Sequence, residues 1–497
     1  MMQELLKIDW LVFLRQTLPL LLPLGGGGFL LLVGPFFKRS HRFNFIFSIA
    51  IALLALFFAW QEWLGATNQT VNLLLFDRFT YLFAILFLIA LILTLLLSYS
   101  YLESFGLVRP EYYALLLFAV FGMMCMVAGH DLMVVFLGLE VMSVSVYVLA
   151  GFQRSNVLSV EAALKYFLVG AFASSFLLMG IAFIYGATGT TDLIVLHQKG
   201  LGMLAGETRV YALVGLSLLA VGLGFKIALV PFHFWAADVY HGAPVIVTTF
   251  MATAVKAAGF GAILRVVWAL FQWEPLLFAN MIWVASVLTM TIGNIAALTQ
   301  KNLKRMLAYS SIAHAGYAIL PLVAFSKQGA SVTSSISFYM LAYILMTVGA
   351  FAVLIALSEK EEKCTIQDLS GLGTRKPFLA FSMTLFLLSL TGIPPTLGFF
   401  GKYYLFLQAV QAGYIWLAVI GVINSVISVY YYLGPVVAMY FSKETADQKV
   451  GPTYWSPQAV LVVIWFTFLG VSLFGLFPSN LLDLIQTSVS SWLVAGK

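Results

Sequence analysis

Long apolar runs of about 20 residues recur along the whole chain and alternate with short polar stretches. Each run is long enough to cross a hydrocarbon layer of roughly 30 Å as a helix that rises about 1.5 Å per residue. The pattern predicts an all-α integral membrane protein with about fourteen transmembrane helices. The predicted spans, numbered 1 to 14 in chain order, are 11–34, 43–64, 77–101, 111–129, 131–152, 159–187, 211–238, 243–270, 276–299, 303–324, 333–357, 377–410, 414–441 and 458–477.

Predicted spans 7 and 12 are long and are interrupted by proline. Pro231 lies in the middle of span 7, and Pro394 and Pro395 lie in span 12. A proline bends or breaks a helix, and at membrane depth this is tolerated where protein or a water-filled cavity satisfies the freed backbone groups. We therefore expect both helices to be broken. Lys226 follows a Gly-Phe pair and Lys402 follows a Phe-Gly pair, so we expect these two lysines to be equivalent.

Two broken helices that lie five spans apart predict an internal repeat. Predicted spans 4–8 would correspond to spans 9–13, and an odd number of spans places the second copy in the opposite orientation, so the repeats are inverted. Residues 1–497 are expected to form a single polytopic membrane domain. Its predicted parts are three N-terminal helices in 1–109, the first inverted repeat in 110–272, the second in 273–441 and a C-terminal helix in 442–497.

The charge distribution fits a membrane protein and not a nucleic-acid-binding protein. Only 9% of residues are charged, against roughly 25% in soluble domains, and the net charge of +6 comes from basic residues in short loops. Fourteen of these, including Lys304, would share one side of the membrane, and eight, including Arg265 at a span end, would share the other. The richer side is expected to be cytoplasmic, which places both termini on the outer, periplasmic side. The two cysteines, Cys125 and Cys364, predict neither a disulfide framework nor a metal site.

Four of the 26 basic residues remain inside the predicted spans, namely Lys165, Lys226, Lys256 and Lys402, and Glu140 lies in span 5. A charge at mid-membrane costs about 2.5–3.5 kcal/mol on insertion scales, so such residues are usually functional. The helical rise places Glu140, Lys226 and Lys256 at mid-membrane depth. Lys165 is only ~9 Å deep, so its ammonium could also reach the interface.

Buried lysine suits proton transfer. Low dielectric favours the neutral amine and a nearby carboxylate favours the ammonium, so a movable Glu140 would change how strongly Lys226 holds its proton.

Three histidines and two basic residues have open roles. His314, in a polar part of span 10, would either bridge two half-channels or be a hydrogen-bonded structural histidine. His233 and His241 follow the break in span 7 and would serve either as proton entry or as interfacial anchors. Lys304 and Arg305 are expected to be ordinary cytoplasmic anchors.

Six motifs occur in order and together resemble the antiporter-like subunits of respiratory complex I, over almost the whole chain. The chain lacks the long lateral helix of the most distal of these three subunits and has Lys402 where the middle one has glutamate, so it is most similar to the third. The motifs are FLGLEVMSVSVYVLAGF, LKYFLVGAFASS, GFKIALVPFHFWAADVYHGAP, ATAVKAAGF, KNLKRMLAYSSIAHAGYAIL and LTGIPPTLGFFGKYYLF.

The resemblance implies a role for each buried charge. Glu140 and Lys226 would form the glutamate–lysine pair of a first half-channel, with Lys165 modulating that lysine. Lys256 would be the central connecting lysine, and Lys402 the terminal lysine of a second half-channel.

The resemblance also implies a setting for the chain. It would be a proton-translocating, non-redox subunit of NADH:quinone oxidoreductase in the bacterial inner membrane. Its partners would be the other membrane-arm subunits, the lipid bilayer and protons, with no nucleic acid. Flavin (FMN), iron–sulfur clusters and quinone would be bound by other subunits.

Three other functions fit the sequence less well than a proton-translocating subunit of complex I. An Mrp-type cation/proton antiporter subunit shares the charged motifs, but Lys402 and the absence of extra C-terminal spans favour complex I. A solute carrier would need side chains that select a solute, whereas the polar set here is cationic and linear. A structural scaffold would not tolerate the cost of five buried charges.

The basic-residue bias makes a topological prediction. A reporter enzyme that is active only after export should be active when fused after Lys497, because the loops richer in Lys and Arg stay in the cytoplasm. A reporter that is active only in the cytoplasm, fused at the same place, is the control. Activity of the cytoplasmic reporter alone would contradict the orientation.

Overall fold

The computed structural model describes residues 10–37, 41–65, 69–71, 73–200, 204, 206–358, 365–442 and 458–494. Both chain ends, and with them the predicted position of the termini, lie outside the described residues. So do Cys364 and several of the loop residues that carry the charge bias, including Lys38, Arg39, Lys360, Lys363, Lys443 and Lys449.

The described residues of the first part of the chain form mainly helices, together with one short antiparallel hairpin in which β1 (Gln69–Val71) pairs with β2 (Leu74–Phe76). Its helices are α1 (Trp10–Val33), α2 (His41–Gly65), α3 (Arg78–Ser104), α4 (Pro110–Ala128), α5 (Leu132–Ala150), α6 (Val157–Thr188), α7 (Leu193–Lys199), α8 (Glu207–Lys226), α9 (Phe234–Gly242) and α10 (Val245–Leu270).

The second part continues the same architecture. Its helices are α11 (Pro275–Leu298), α12 (Leu303–Ile319), α13 (Phe325–Leu357), α14 (Leu372–Arg375), α15 (Pro377–Thr391), α16 (Leu397–Gln411), α17 (Ile415–Phe441), α18 (Gln458–Leu476) and α19 (Pro478–Val494). Within the described residues, twelve helical stretches are long and apolar enough to cross a membrane. The predicted all-α membrane fold is confirmed at this level.

Both predicted helix breaks are present. Predicted span 7 is divided into α8 and α9, and predicted span 12 into α15 and α16, with a proline-containing segment between the two halves in each case. Lys226 is the last residue of the half before its break, whereas Lys402 is the sixth residue of the half after its break. The two lysines therefore lie on opposite sides of their breaks, and their equivalence within the repeats stays a prediction.

Three helices form the centre of the bundle: α3, α10 and α13 are almost entirely buried within the chain. Helix α10 contains a π-helical turn, Met251–Val255, directly before Lys256. Such turns are rare in proteins overall, and those that occur are frequently found at functional sites. In the outer helices, including α2, α6, α11 and α18, only about a third of the residues are buried within the chain, as expected of helices that face lipid or neighbouring subunits.

Helices α4 and α5 approach each other at backbone contact. A Cβ added to Gly122 would lie 2.6 Å from the Gly138 carbonyl oxygen, and one added to Gly138 would lie 2.7 Å from the Gly122 carbonyl oxygen. Small residues are what allow membrane helices to pack this closely. The contact fixes the position of α5 along the axis of α4, and therefore the position of Glu140, which lies two residues after Gly138.

A buried ion pair holds α10 against α3. The Arg265 guanidinium donates to Asp77 Oδ1 and to Thr80 Oγ1, both at 2.8 Å, and lies 4.7 Å from the Phe79 ring centre. Arg265 is 2% exposed and Asp77 is fully buried. Arg265 was counted as a basic residue at a span end. That assignment is wrong, because its side chain points into the bundle and not toward the interface.

Helix α19 was missed as a separate element by hydropathy, since polar residues such as Asp483 and Thr487 interrupt its apolar positions. It packs on α13 and α3. Trp63 of α2 donates its indole N–H to Ser488 Oγ at 2.8 Å, which ties the two ends of the described chain together.

The Arg265–Asp77 pair yields a stability prediction. Arg265→Met should cost about 3–5 kcal/mol, because it leaves the Asp77 carboxylate buried without its cation. The double variant Asp77→Asn/Arg265→Met should lose less, since asparagine keeps the helix cap to Thr80 without a charge. The measurement is the midpoint of thermal aggregation of the chain purified in its complex. A double variant less stable than Arg265→Met would contradict this account.

Candidate functional site

Lys226 ends α8 in the interior of the chain, where the residue is only 4% exposed. Its Nζ donates to Ser143 Oγ of α5 at 2.8 Å and to Tyr166 OH of α6 at 3.4 Å. It also lies 5.8 and 5.4 Å from the ring centres of Tyr147 and Tyr166, within the range of cation–π attraction. Hydroxyl groups and aromatic rings therefore surround this amine.

Glu140 lies on α5 one turn before Ser143 and is half-buried. Ser174 Oγ of α6 donates to Glu140 Oε1 at 2.5 Å. Ser143, Ser174 and Lys226 line one small cavity of about 10 Å³, which is close to the space that a single water needs. The predicted Glu140–Lys226 pair is therefore not a direct ion pair. Ser174, which binds the carboxylate, and Ser143, which binds the amine, line the same cavity.

The backbone groups freed at the first break find partners within the chain. The Trp235 indole N–H of α9 donates to the Phe225 carbonyl at 3.2 Å, and the Val230 N–H donates to Thr289 Oγ1 of α11 at 3.0 Å. The Trp235 ring also stacks on Tyr166 with the ring centres 4.4 Å apart. The break therefore holds the tyrosine that contacts the Lys226 amine.

Lys165 lies at the side of the bundle and not in its interior. It forms ion pairs with Glu161 at 2.6 Å, one turn away on α6, and with Asp238 of α9 at 3.2 Å. Its side chain is 44% exposed. Among the described residues, the contact with Lys226 is made by Tyr166, the residue after Lys165, and the modulation of Lys226 by Lys165 stays a prediction.

The start of α12 carries two basic residues with different surroundings. Arg305 pairs with Asp238 at 3.1 Å, so one carboxylate is shared between α6 and α12. Lys304 is 1% exposed and donates to the Ala243 carbonyl at the end of α9. Lys304 was expected to be an interfacial anchor and is instead buried. Lys304 belongs to the side of the membrane with more basic residues and Arg265 to the other side. If both are left out, the difference between the two sides stays the same.

Lys256 is 3% exposed and follows the π-helical turn of α10. Its Nζ donates to the carbonyl and the side-chain hydroxyl of Ser311 on α12. The same amine lies 5.4 Å from the Tyr343 ring centre on α13. It is therefore surrounded by the three helices α10, α12 and α13.

His314 lies on α12, one turn beyond Ser311, and is 2% exposed. Its Nδ1 is hydrogen-bonded to Tyr339 OH and its Nε2 to Tyr432 OH, the latter at 3.1 Å. Its ring centre lies 5.2 Å from that of Tyr343 and 5.7 Å from that of Tyr317. The imidazole therefore has tyrosine hydroxyls at both nitrogens, and tyrosine rings connect it to Lys256 on one side and Lys402 on the other.

Lys402 is 4% exposed. Its Nζ donates to the Thr391 carbonyl at 2.8 Å and to Ser425 Oγ at 2.9 Å, and lies 4.6 Å from the Tyr317 ring centre. Gly392 has φ +90°, and an added Cβ would come within 3.0 Å of Lys402 Cδ. The second break thus supplies both the acceptor and the space for this lysine.

The two remaining histidines lie on α9. His233 is buried at the start of this helix with its ring 4.6 Å from that of Phe234, and His241 is half-buried in its last turn. Their use as proton entry groups or anchors stays a prediction. Among the described residues, no cluster of three or more His, Cys, Asp or Glu could hold a metal ion.

The neutral partners of the lysines were not predicted from the sequence, because a hydroxyl or a tyrosine ring in a span does not stand out as a charge does. A helical signal was available. Ser143 lies three residues after Glu140, Tyr166 follows Lys165, and Tyr317 lies three residues after His314, so several share a helix face with a charge that was identified. Asp238 was also missed, although it is the last residue of predicted span 7.

The match to known families covers most of the chain. Residues 129–428 match the family described as NADH:quinone oxidoreductase/Mrp antiporter, transmembrane. NADH-quinone oxidoreductase subunit N of Trichlorobacter lovleyi is 45% identical over 465 residues, 93% of each chain. Subunit N 2 of Roseiflexus castenholzii is 40% identical over 490 residues, 97% of each chain.

Solved structures agree with this match. A chain in the structure of respiratory complex I from Thermus thermophilus with bound aureothin superposes with a TM-score of 0.78 at 35% identity, over 94% of this chain and 98% of that one. A chain of the Mrp complex from a Dietzia species superposes with a TM-score of 0.84 over 97% and 99%, at 22% identity, which supports the shared fold alone. The sequence and structural matches, together with three buried lysines of which two lie on broken helices, mean that the chain belongs to the antiporter-like membrane subunits of NADH:quinone oxidoreductase and is similar to its subunit N.

Proposed function

We propose that the chain carries protons across the membrane, as the subunit N of an NADH:quinone oxidoreductase, through two linked half-channels. The observation that carries the proposal is the row of buried groups on one path: Lys226, Lys256, His314 and Lys402, each contacting at least one tyrosine hydroxyl or ring. Four buried titratable groups would be costly to retain for packing alone.

The gap between Lys226 and Lys256 is bridged by aromatic side chains. Trp235 stacks on the tyrosine that contacts Lys226, and its ring centre lies 5.9 Å from that of Tyr240. The Tyr240 hydroxyl donates to the Met251 carbonyl at 3.3 Å, in the π-helical turn that precedes Lys256. A hydroxyl both donates and accepts a proton, so water and tyrosine side chains are suited to connect the two lysines.

Protonation changes at these lysines break few contacts. Among the residues that the structure describes, Lys226, Lys256 and Lys402 have hydroxyls, carbonyls and rings as neighbours and no carboxylate within 4 Å. An amine in such a place gains or loses a proton without separating an ion pair. Ser174 links Glu140 to the cavity beside Lys226, so movement of this carboxylate or of a water in the cavity changes the charge that the amine experiences.

The proposal includes the finer architecture. Fourteen crossings result if Leu303–Leu357 crosses twice and α15 with α16 crosses once, in addition to the other eleven long stretches. Predicted spans 4–8 and 9–13 form inverted repeats, and each contains one broken helix. The parts 1–109, 110–272, 273–441 and 442–497 follow from that division.

The setting is also part of the proposal. The chain lies in the bacterial inner membrane with both termini on the periplasmic side, and it contacts the other membrane-arm subunits. Flavin, iron–sulfur clusters and quinone belong to those partners, so this subunit is non-redox. The matches to chains of multi-subunit complexes and the apolar outer helices support this setting.

Lys402 tests the second half-channel. Lys402→Ala should lower proton pumping by the assembled complex at least about tenfold, which corresponds to ~1.4 kcal/mol, because it removes the amine next to the second break. NADH oxidation with an artificial acceptor should be unchanged. Lys327→Ala is the matched control, since Lys327 donates to the Ala412 carbonyl outside the row. Normal pumping by Lys402→Ala vesicles would mean that this half does not conduct.

Glu140 and Lys226 test the first half-channel. Glu140→Gln keeps the shape and removes the charge, so assembly should survive while quinone reductase activity and pumping fall together. Lys226→Ala should lower both activities to a similar level. The double variant Glu140→Gln/Lys226→Ala should be little less active than either single variant, because the effects of residues that act as one unit are non-additive.

Two milder variants complete the test. Glu140→Asp keeps the charge, and Ser143→Ala removes only a hydroxyl that accepts from Lys226, so each should retain more activity than Glu140→Gln. Vesicle acidification and quinone reductase rates give both readouts. Additive losses in the double variant, or full pumping by Glu140→Gln, would contradict the relay.

A further inference from the structure

Four charged side chains meet where α6, α9 and α12 come together. Asp238 of α9 pairs with Lys165 at 3.2 Å and with Arg305 at 3.1 Å, and Glu161 pairs with Lys165 at 2.6 Å. We propose that Asp238 is a positioning residue that couples the two half-channels, by holding α9 against α6 on one side and α12 on the other. The inference rests on the proton transport proposed for this chain.

Toward the first half-channel, Asp238 and Trp235 act as a pair. They lie three residues apart and therefore on one face of α9. Asp238 binds Lys165, and Trp235 stacks on the adjacent Tyr166 at 4.4 Å. Tyr166 OH in turn lies 3.4 Å from Lys226 Nζ. The position of α9 on α6 therefore sets the distance between this hydroxyl and the amine.

Toward the second half-channel, the same carboxylate binds the helix that carries Ser311, the partner of Lys256. Arg305 lies near the start of α12, and Ser311 follows it by six residues on the same helix. Lys304 adds a second attachment, because its amine donates to the Ala243 carbonyl just after α9. A shift of α9 would therefore move Tyr166 relative to Lys226 and, at the same time, Ser311 relative to Lys256.

The energetics favour positioning over global stability. The four charges balance, and the side chains are 35–50% exposed within the chain. Ion pairs with this exposure usually contribute little to folding. Removing the Asp238 charge should therefore leave the chain folded and inserted, so that a loss of pumping reports on the alignment of the two half-channels.

Glu161 provides a matched control. It is also an acid paired with Lys165, at an even shorter distance, but it lies on the same helix as that lysine, one turn away. It therefore neutralises Lys165 without connecting helices. If only the charge balance at Lys165 matters, Glu161→Gln and Asp238→Asn should behave alike. If the connection matters, they should differ.

The experiment uses the whole complex reconstituted in vesicles, with protons pumped per electron pair and the KM for quinone as readouts. Asp238→Asn should assemble normally and pump about two- to tenfold fewer protons per electron pair, in line with coupling between contacting residues, with KM unchanged. Asp238→Glu should restore most of the loss, and Glu161→Gln should be close to the parent. Asp238→Asn/Arg305→Gln should be no worse than Asp238→Asn.

Three outcomes would overturn the inference. They are a normal proton ratio for assembled Asp238→Asn, an equal loss in Glu161→Gln, or a loss only in the amount of assembled complex. Lys226→Ala is measured alongside. If that variant pumps normally, the proposed function itself fails. If it is impaired while Asp238→Asn is normal, only the role of Asp238 fails.

Discussion

Hydrocarbon provides no hydrogen-bond partner for a backbone group that leaves the helical pattern, so each break in a membrane helix must be satisfied by the chain itself. The two halves of this chain meet that constraint differently. At the second break the Thr391 carbonyl accepts from Lys402 and Ser425. At the first break the Trp235 indole N–H donates to the Phe225 carbonyl, and Lys226 donates to the Ser143 hydroxyl instead of to a backbone group. The placement of the lysines follows from these two solutions.

The rest of the site depends on those breaks. Because Trp235 satisfies the first break, its ring is held where it stacks on Tyr166, and that tyrosine is held beside Lys226. Because the second break bonds Lys402, this amine is held over Tyr317, whose ring also contacts His314. A backbone requirement of the membrane thus positions the aromatic groups that connect the lysines into one row. A related chain of respiratory complex I shares the fold over nearly the whole chain. This agreement is expected if the positions of the site residues depend on the backbone.

Much of the fold followed from hydropathy, because crossing a hydrocarbon layer imposes length and apolarity on each helix separately. The breaks in spans 7 and 12 were predicted for the same local reason, since proline disrupts a helix wherever it lies. Helix α19 was not predicted, because it is held by contacts with α13 and α3 and not by its own apolarity. Arg265 and Lys304 were assigned to the interface from their place near span ends. Their side chains instead point inward, to Asp77 and to the Ala243 carbonyl.

Position along a helix was enough to predict from the sequence which titratable groups lie within spans, namely Glu140, Lys226, Lys256, Lys402 and His314. It was not enough to predict which of these groups meet. The direction in which a side chain points and the identity of the helix it faces depend on packing between distant segments. Therefore Ser174 binds Glu140 while Ser143 binds Lys226, Lys165 turns to Asp238, and tyrosines from four helices contact the lysines. Such contacts join residues far apart in the chain, and no local pattern specifies them.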